Sequence, residues 1–289
     1  MAPRHSNAGG GRPTLGLVST ARVITTERHD HVGVLWLDNP ERRNAMGPDF
    51  WADLPSEMGG LSEDDGVRAV VVAARGPHFS VGLDLKSMGS GEAPAGGGSP
   101  ASRARHTYRE VKRLQAAINS VAECPKPVIA AVHGYCIGGG VDLISACDVR
   151  LASSDAVFSV RETKVAIVAD LGSLQRLPRL ISMGHVNELA LTGKDIDAQR
   201  ALQIGLVNSV HDDHDSLQAA ALEMAHEMAA NSPLVVEGTK AVLAASVGRS
   251  VDEGLDYVAA WNAAFLASSD LSEAMTAFFE KRKPEFTGD

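Results

Sequence analysis

The run "VRAVVVAARG", Val67 to Gly76, constrains the fold more than any other stretch of the chain. It is unbroken apolar from Ala69 to Ala74. A strand with one face in water alternates apolar and polar residues, so an unbroken β-branched run marks a strand covered on both faces. "KPVIAAVHG", Lys126 to Gly134, reads the same way. Two such strands need helices around them, and the rest of the chain supplies them.

"RVITTERHDHVGVLWLDNPERRN" reads as two short strands with a turn near His29 to His31, ended by Asn39-Pro40. A helical segment follows through Phe50, Trp51 and Leu54, made irregular by Pro55. "PHFSVGLDLKSM" is a turn entering a short helix. "GSGEAPAGGGSPASRA" reads as a mobile loop, and Tyr108 to Val121 as a helix. A glycine stretch after the second buried strand opens another short helix. "DVRLASS" and "AVFSV" read as strands. Beyond Leu171 the pattern is mostly helical, through "ISMGHVNELALTG", "DAQRALQIG", 217–230, 233–246, 251–267 and 270–281. Strands alternating with helices, then helices only, predict an α/β core with a helical C-terminal region. The expected division is a flexible tail over 1–21, a core with the active site over 22–215, and a helical oligomerisation region over 216–289.

A chain of 289 residues has ample core for this plan. Its net charge of -9 argues against a general nucleic-acid binder. Three cysteines, Cys124, Cys136 and Cys147, point to reduced thiols inside a cell, and their spacing fits no metal site. No apolar run reaches the roughly 18 residues of a membrane span. Met1 to Thr26 has arginines and no acid, as in a mitochondrial transit peptide, but its glycines and prolines oppose an amphipathic helix. The C-terminal Thr287-Gly288-Asp289 is no peroxisomal address. The expected compartment is a cytoplasm, and abundant alanine with arginine in excess of lysine is compatible with a GC-rich bacterium.

The chemistry begins at "GYCIGGGVDLISACDVR", Gly134 to Arg150. Gly138-Gly139-Gly140 before a helix is either a tight turn or a cradle of free N–H groups for an anion. The dinucleotide spacing is absent, and no lysine follows as in a phosphate loop. "FSVGLDL" offers a second cradle at Gly82 and Leu83, with Asp84 a natural helix cap. Asp142 sits among Val141, Leu143 and Ile144, a costly place for an unpaired carboxylate. "FSVRETKVAIVADLGSLQRLP" carries Glu162 and Asp170 in an apolar run. Glu162 has Arg161 and Lys164 as structural partners, and Asp170 has the following helix to cap. Three carboxylates beside two glycine turns also fit acid/base chemistry on carbon-bound protons. "HDDHD", His211 to Asp215, reads as a solvated loop rather than a metal cluster.

"KPVIAAVHGYCIGGGVDLISACDVRLAS" resembles the signature of the crotonase, or enoyl-CoA hydratase/isomerase, superfamily. So do "NPERRNAM", "FSVGLDL" and "LQRLPRLISMGHVNELALTGKDIDAQRALQIGLVNSV". The likeness runs from about Val23 to the C-terminal helices. "GGGVD…RE…AD.G.LQRLP" and "YVAAWNAAFLASSDL" are similar to the Δ3,5-Δ2,4-dienoyl-CoA isomerase branch. Lys164, in place of an acid, and Ala166-Ile167, in place of Gly-Leu, depart from it. The resemblance implies a spiral of ββα units and an isomerase moving the double bonds of a 3,5-dienoyl-CoA. It implies Asp142, Glu162 and Asp170 as catalytic, and the N–H groups of Leu83 and Gly139 as an oxyanion hole. It places coenzyme A near Arg42, Arg43 and Lys86, with Lys281 from a neighbouring subunit. It implies no cofactor beyond the coenzyme A of the substrate, no metal, no membrane, and a trimer or dimer of trimers. A 2-enoyl-CoA hydratase and a noncatalytic acyl-CoA or protein-binding member are the alternatives.

Overall fold

The computed structural model describes residues 22–90 and 99–289. The chain opens with β1 (Ile24–His29) and β2 (Val32–Leu37), then α1 (Pro48–Glu63), β3 (Ala69–Ala74), α2 (Leu85–Ser90) and α3 (Pro100–Ala122). Next come β4 (Val128–Val132), β5 (Tyr135–Ile137), α4 (Gly139–Ser145), β6 (Val149–Ser153) and β7 (Val157–Ser159). After them follow α5 (Ser173–Arg176), α6 (Met183–Thr192), β8 (Ile196–Asp197), α7 (Ala198–Gln203) and β9 (Ser209–His211). The chain ends in α8 (His214–Ala229), α9 (Pro233–Ala245), α10 (Val251–Phe265) and α11 (Ser269–Glu280).

A six-stranded sheet in the order β1-β2-β3-β4-β6-β9 forms the core. Only β1 and β2 pair antiparallel, and the turn between them uses Asp30 in the left-handed region at φ 51°. The other pairings are parallel. The unbroken apolar run of β3 is accounted for by burial on both faces. Val70, Val72 and Ala74 join the cluster under α1 and α3, and Ala69, Val71 and Ala73 join the cluster under α8. Helix α8 meets that second face with Leu217, Ala221, Ala225 and Ala229, one residue per turn. A smaller sheet, β5-β7-β8, stands beside the first. This is the α/β architecture expected, with the helical region at the C-terminal end.

Two local expectations need correction. Helix α1 runs unbroken through Pro55, because Phe50, Trp51, Leu54, Met58 and Leu61 bury one face and outweigh the missing hydrogen bond. The expected mobile loop over 89–104 is shorter than drawn. Its end belongs to α3, which starts at Pro100 with the Ser99 hydroxyl accepting from the Ser102 N–H at 3.2 Å. Residues 91–98 and the expected tail over 1–21 lie outside the described residues. Strands β5 and β8, of three and two residues, carry too little pattern to be read in advance.

Within the "HDDHD" stretch, Asp213 caps α8 in a reciprocal capping box with Ser216, and His214 stacks on His133 with ring centroids 3.9 Å apart. Among the described residues no helix is long and apolar enough to cross a membrane.

Candidate active site

Two glycine turns meet, one in the loop after β3 and the other at the end of β5. Gly82 has φ 80°, and a Cβ there would lie 2.5 Å from the Ile137 carbonyl oxygen. Gly138, the N-cap of α4, has φ 54°, and a Cβ there would lie 3.0 Å from Glu162 Oε1. Only glycine combines that backbone with that closeness.

Ser80 holds the turns together. Its backbone bonds both Tyr135 and Ile137 of β5, at 2.9 and 3.0 Å. Its hydroxyl donates to the Asn44 carbonyl at 2.8 Å and accepts from the Gly82 N–H at 3.0 Å. Asn44, buried and left-handed at φ 54°, donates to the carbonyls of Arg75 and His78. Gly82 and Asp84 bond either side of Met46, so the Leu83 N–H between them faces away from that partner. The Leu83 nitrogen is 3.9 Å from where a Gly139 Cβ would stand. Gly139 is the first residue of α4, so its N–H has no acceptor within the helix. Neither N–H has an acceptor among the described residues. Two adjacent unpaired donors are the material of an oxyanion hole.

The carboxylates come from three segments. Asp142, one turn into α4, is 1% exposed. Its Oδ1 accepts from the Ser173 N–H at 2.6 Å, so it caps the neighbouring helix α5. Burial pushes its pKa up to about 6, against the pull of Ser173 and the Arg176 guanidinium. Glu162 stands in a 3-10 turn after β7, with one carboxyl oxygen wholly buried and unpartnered. Burial raises its pKa to about 7, helped by the charges of Asp142 and Asp170. Asp170 is an exposed residue, yet partial burial of its carboxyl still raises its pKa, against its own backbone N–H. The expected apolar setting of Asp170 holds only in part: its neighbours Ala169 and Leu171 are buried, whereas Asp170 itself is exposed and Val168, two residues earlier, is 76% exposed. All three acids line one cavity of about 120 Å³ with Leu83 and Gly139. The walls add Trp51, Val81, Leu85, Ile137, Val165 and Ile167.

The structural alternatives separate cleanly. Asp84 caps α2, accepting from the Lys86 N–H at 3.1 Å, and pairs with Arg42 at 2.6 Å. Arg161 pairs with Asp195 rather than Glu162, and Lys164 packs across Gly193. Among the described residues Glu162 forms no ion pair. Asp170 does not cap α5, whose N-cap is Gly172, because Asp142 has taken that place. Arg42 pairs with Asp84, next to Leu83 and Leu85 of the cavity wall, and Lys281 lies at the end of α11; none of Arg42, Arg43, Lys86 and Lys281 itself lines the acid cavity. Ser80, Asn44 and Ser173 were not anticipated. Small polar residues inside apolar motifs were the only signal for them.

The family model for enoyl-CoA hydratase/isomerase matches residues 27–289. The chain belongs to the enoyl-CoA hydratase/isomerase family. Within that family it is 42% identical to a peroxisomal Δ(3,5)-Δ(2,4)-dienoyl-CoA isomerase from Arabidopsis thaliana, over 94% of this chain and 99% of the relative. It is 43% identical to a mitochondrial protein of the same name from Dictyostelium discoideum, over 93% and 92%. The crystal structure of an enoyl-CoA hydratase from Bacillus anthracis superposes with a TM-score of 0.85 at 29% identity, covering 92% of this chain and all of that one. The fold is thus the crotonase-like fold expected.

Proposed function

We propose that this chain is an isomerase that converts a 3,5-dienoyl-CoA thioester to the 2,4-dienoyl-CoA by proton transfer between carboxylates. The observation that carries the reading is the meeting, on one small cavity, of three carboxyl groups with raised pKa values and two N–H groups without acceptors. The names of the similar isomerases support it.

The thioester oxygen sits between the Leu83 and Gly139 N–H groups. When carbon 2 loses a proton, charge grows on that oxygen, and fixed donors stabilise it by about 3 kcal/mol each in comparable sites. The conjugated anion then accepts a proton at carbon 6. These carbons are several bonds apart, so two carboxyl groups are needed. Glu162, enclosed and near neutral in pKa, takes the proton from carbon 2. Asp170, at the cavity's outer side, delivers one to carbon 6. Asp142 touches neither carbon in this scheme. It braces α5 and holds up the pKa of Glu162 through its charge. Coenzyme A is carried by the substrate, with its phosphates near Arg42, Arg43 and Lys86, and no further cofactor is proposed.

The working form is proposed to be a homo-oligomer built through α9–α11, with Lys281 reaching a neighbour's coenzyme A. The proposed compartment is the cytoplasm, although the named relatives are peroxisomal and mitochondrial. Three free buried cysteines suit any reducing compartment.

The test is ultraviolet spectroscopy of the purified protein with 3,5-octadienoyl-CoA, beside Asp170→Asn. A conjugated 2,4-dienoyl product that disappears in the variant supports the isomerase. Hydration of a 2-enoyl-CoA without dienoyl turnover makes the chain a hydratase working through Asp142 and Glu162. CoA-ester binding without either turnover leaves a noncatalytic member of the family.

A further inference from the structure

The two acids of the proposed reaction stand in different surroundings. Glu162 has an enclosed oxygen, and Asp142 beside it is 1% exposed. Asp170 is exposed, and with Leu171 it borders a second cavity, of about 290 Å³, whose wall includes no residue of Glu162's turn. The remaining wall of that cavity is Gln115, Asn119, Gly172, Gln175, Arg176 and Arg179. It is polar, roomy enough for several waters, and carries two guanidinium groups.

Helix α3 fixes this wall. Gln115 Nε2 donates to the Asp170 carbonyl at 2.7 Å, and Arg176 Nη2 donates to Asn119 Oδ1 at 2.6 Å. Arg176 also reaches the Leu171 carbonyl at 3.3 Å and lies across Gly172, which a Cβ would bring to within 1.9 Å of Nη1. The clamp holds Asp170 by its backbone. Among the described residues its carboxyl has no side-chain partner, so it is free to meet both cavities.

We propose that solvent protons enter the reaction through Asp170, from the polar cavity on its outer side, while the proton on Glu162 stays shielded from water as long as the acyl chain is bound. This rests on the isomerase reading. The balance is closed. The carbon 2–hydrogen bond breaks and its proton joins Glu162. The electron pair shifts along the chain, and a new carbon 6–hydrogen bond takes its proton from the Asp170 carboxyl. Asp170 regains a proton from cavity water, and Glu162 returns one to water after product leaves. No net proton is consumed.

The wild-type protein in deuterium oxide with 3,5-octadienoyl-CoA tests this at early conversion. The product should carry one deuterium at carbon 6, and recovered substrate should keep both protons at carbon 2. Deuterium at carbon 2 of recovered substrate, or a product carbon 6 that carries two protiums and no deuterium, overturns the inference. Absence of any dienoyl turnover would instead sink the isomerase reading. A second arm uses formate, a carboxylate small enough for the polar cavity and attracted by Arg176 and Arg179. Formate should restore turnover to Asp170→Ala by roughly tenfold or more, and not to Glu162→Ala. Equal rescue of both variants, or no rescue of an Asp170→Ala protein that still binds crotonyl-CoA by titration calorimetry, counts against the proposal.

Discussion

Val70 and Val71 are neighbours in β3, face opposite sides of the sheet, and are both fully buried. Phe278 and Phe279 are neighbours in α11 and are 75% and 73% exposed. Helix α10 buries none of its residues and α9 buries only Gly238, which lies under Trp261. Val251, Leu255, Leu266 and Met275 add to the exposed apolar surface, and a groove of about 990 Å³ separates these helices from the core. The sheet core is complete in one chain. The C-terminal helices have hydrophobic residues with no cover of their own, as subunit interfaces do before assembly.

The contrast can be broken from the core side first. Val71→Asp puts an unpaired charge between β3 and α8, and a loss of about 4 kcal/mol or more is expected. Circular dichroism should find an unfolded or barely folded chain. The site comes next. Glu162→Gln should lower turnover by about 10²- to 10⁴-fold while leaving the fold intact, since this carboxyl stabilises nothing by an ion pair. Normal turnover in a folded variant would remove Glu162 from the chemistry.

The raised pKa of Glu162 also has a thermodynamic consequence. Its folded value of about 7 exceeds the ordinary 4.5. The native state therefore binds more protons in that window, and stability is lost as pH rises through it. At pH 8 the loss is on the order of 1–3 kcal/mol, so Glu162→Gln should melt higher than wild type at pH 8 and equally at pH 4. Activity moves the other way. kcat/KM should rise with an inflection near 7, and Asp142→Asn, by removing a neighbouring charge, should shift that inflection down.

On the other side of the contrast, Phe278→Glu with Phe279→Glu should change the thermal midpoint of the isolated subunit little, about 0.5 kcal/mol or less. By light scattering it should convert an oligomer to a monomer. A wild-type protein that is already monomeric at micromolar concentration would end the interface reading. The smallest effect belongs to Ala166, which ends the 3-10 turn at φ 60°. The left-handed region costs a non-glycine residue about 1 kcal/mol, so Ala166→Gly should raise stability by a fraction of that on chemical denaturation.

Much of this was legible in advance because the signals are local. Unbroken β-branched runs announce buried strands, and glycine before a helix announces free N–H groups. A carboxylate amid apolar residues announces a perturbed pKa, and Asp142 and Glu162 bear this out. Asp170 read the same way and its pKa is raised too, but its side chain is exposed, because the path of its loop depends on helices distant in sequence. The structural alternatives for Glu162 and Asp170 were open in the sequence for a similar reason. Arg161 and Lys164 are close in sequence, but their partners, Asp195 and Gly193, lie more than one element away.

By itself the sequence determined the α/β class, the family, the two glycine turns and the identity of the acids, since each follows from a short pattern and its period. Tertiary structure alone decided which groups face one another. It brought the Leu83 nitrogen beside Gly139 through Ser80, and it gave Asp142 rather than Asp170 the cap of α5. It enclosed Glu162 and left Asp170 open to a second cavity. Burial and distance are properties of chain segments packed together, and no local pattern encodes them.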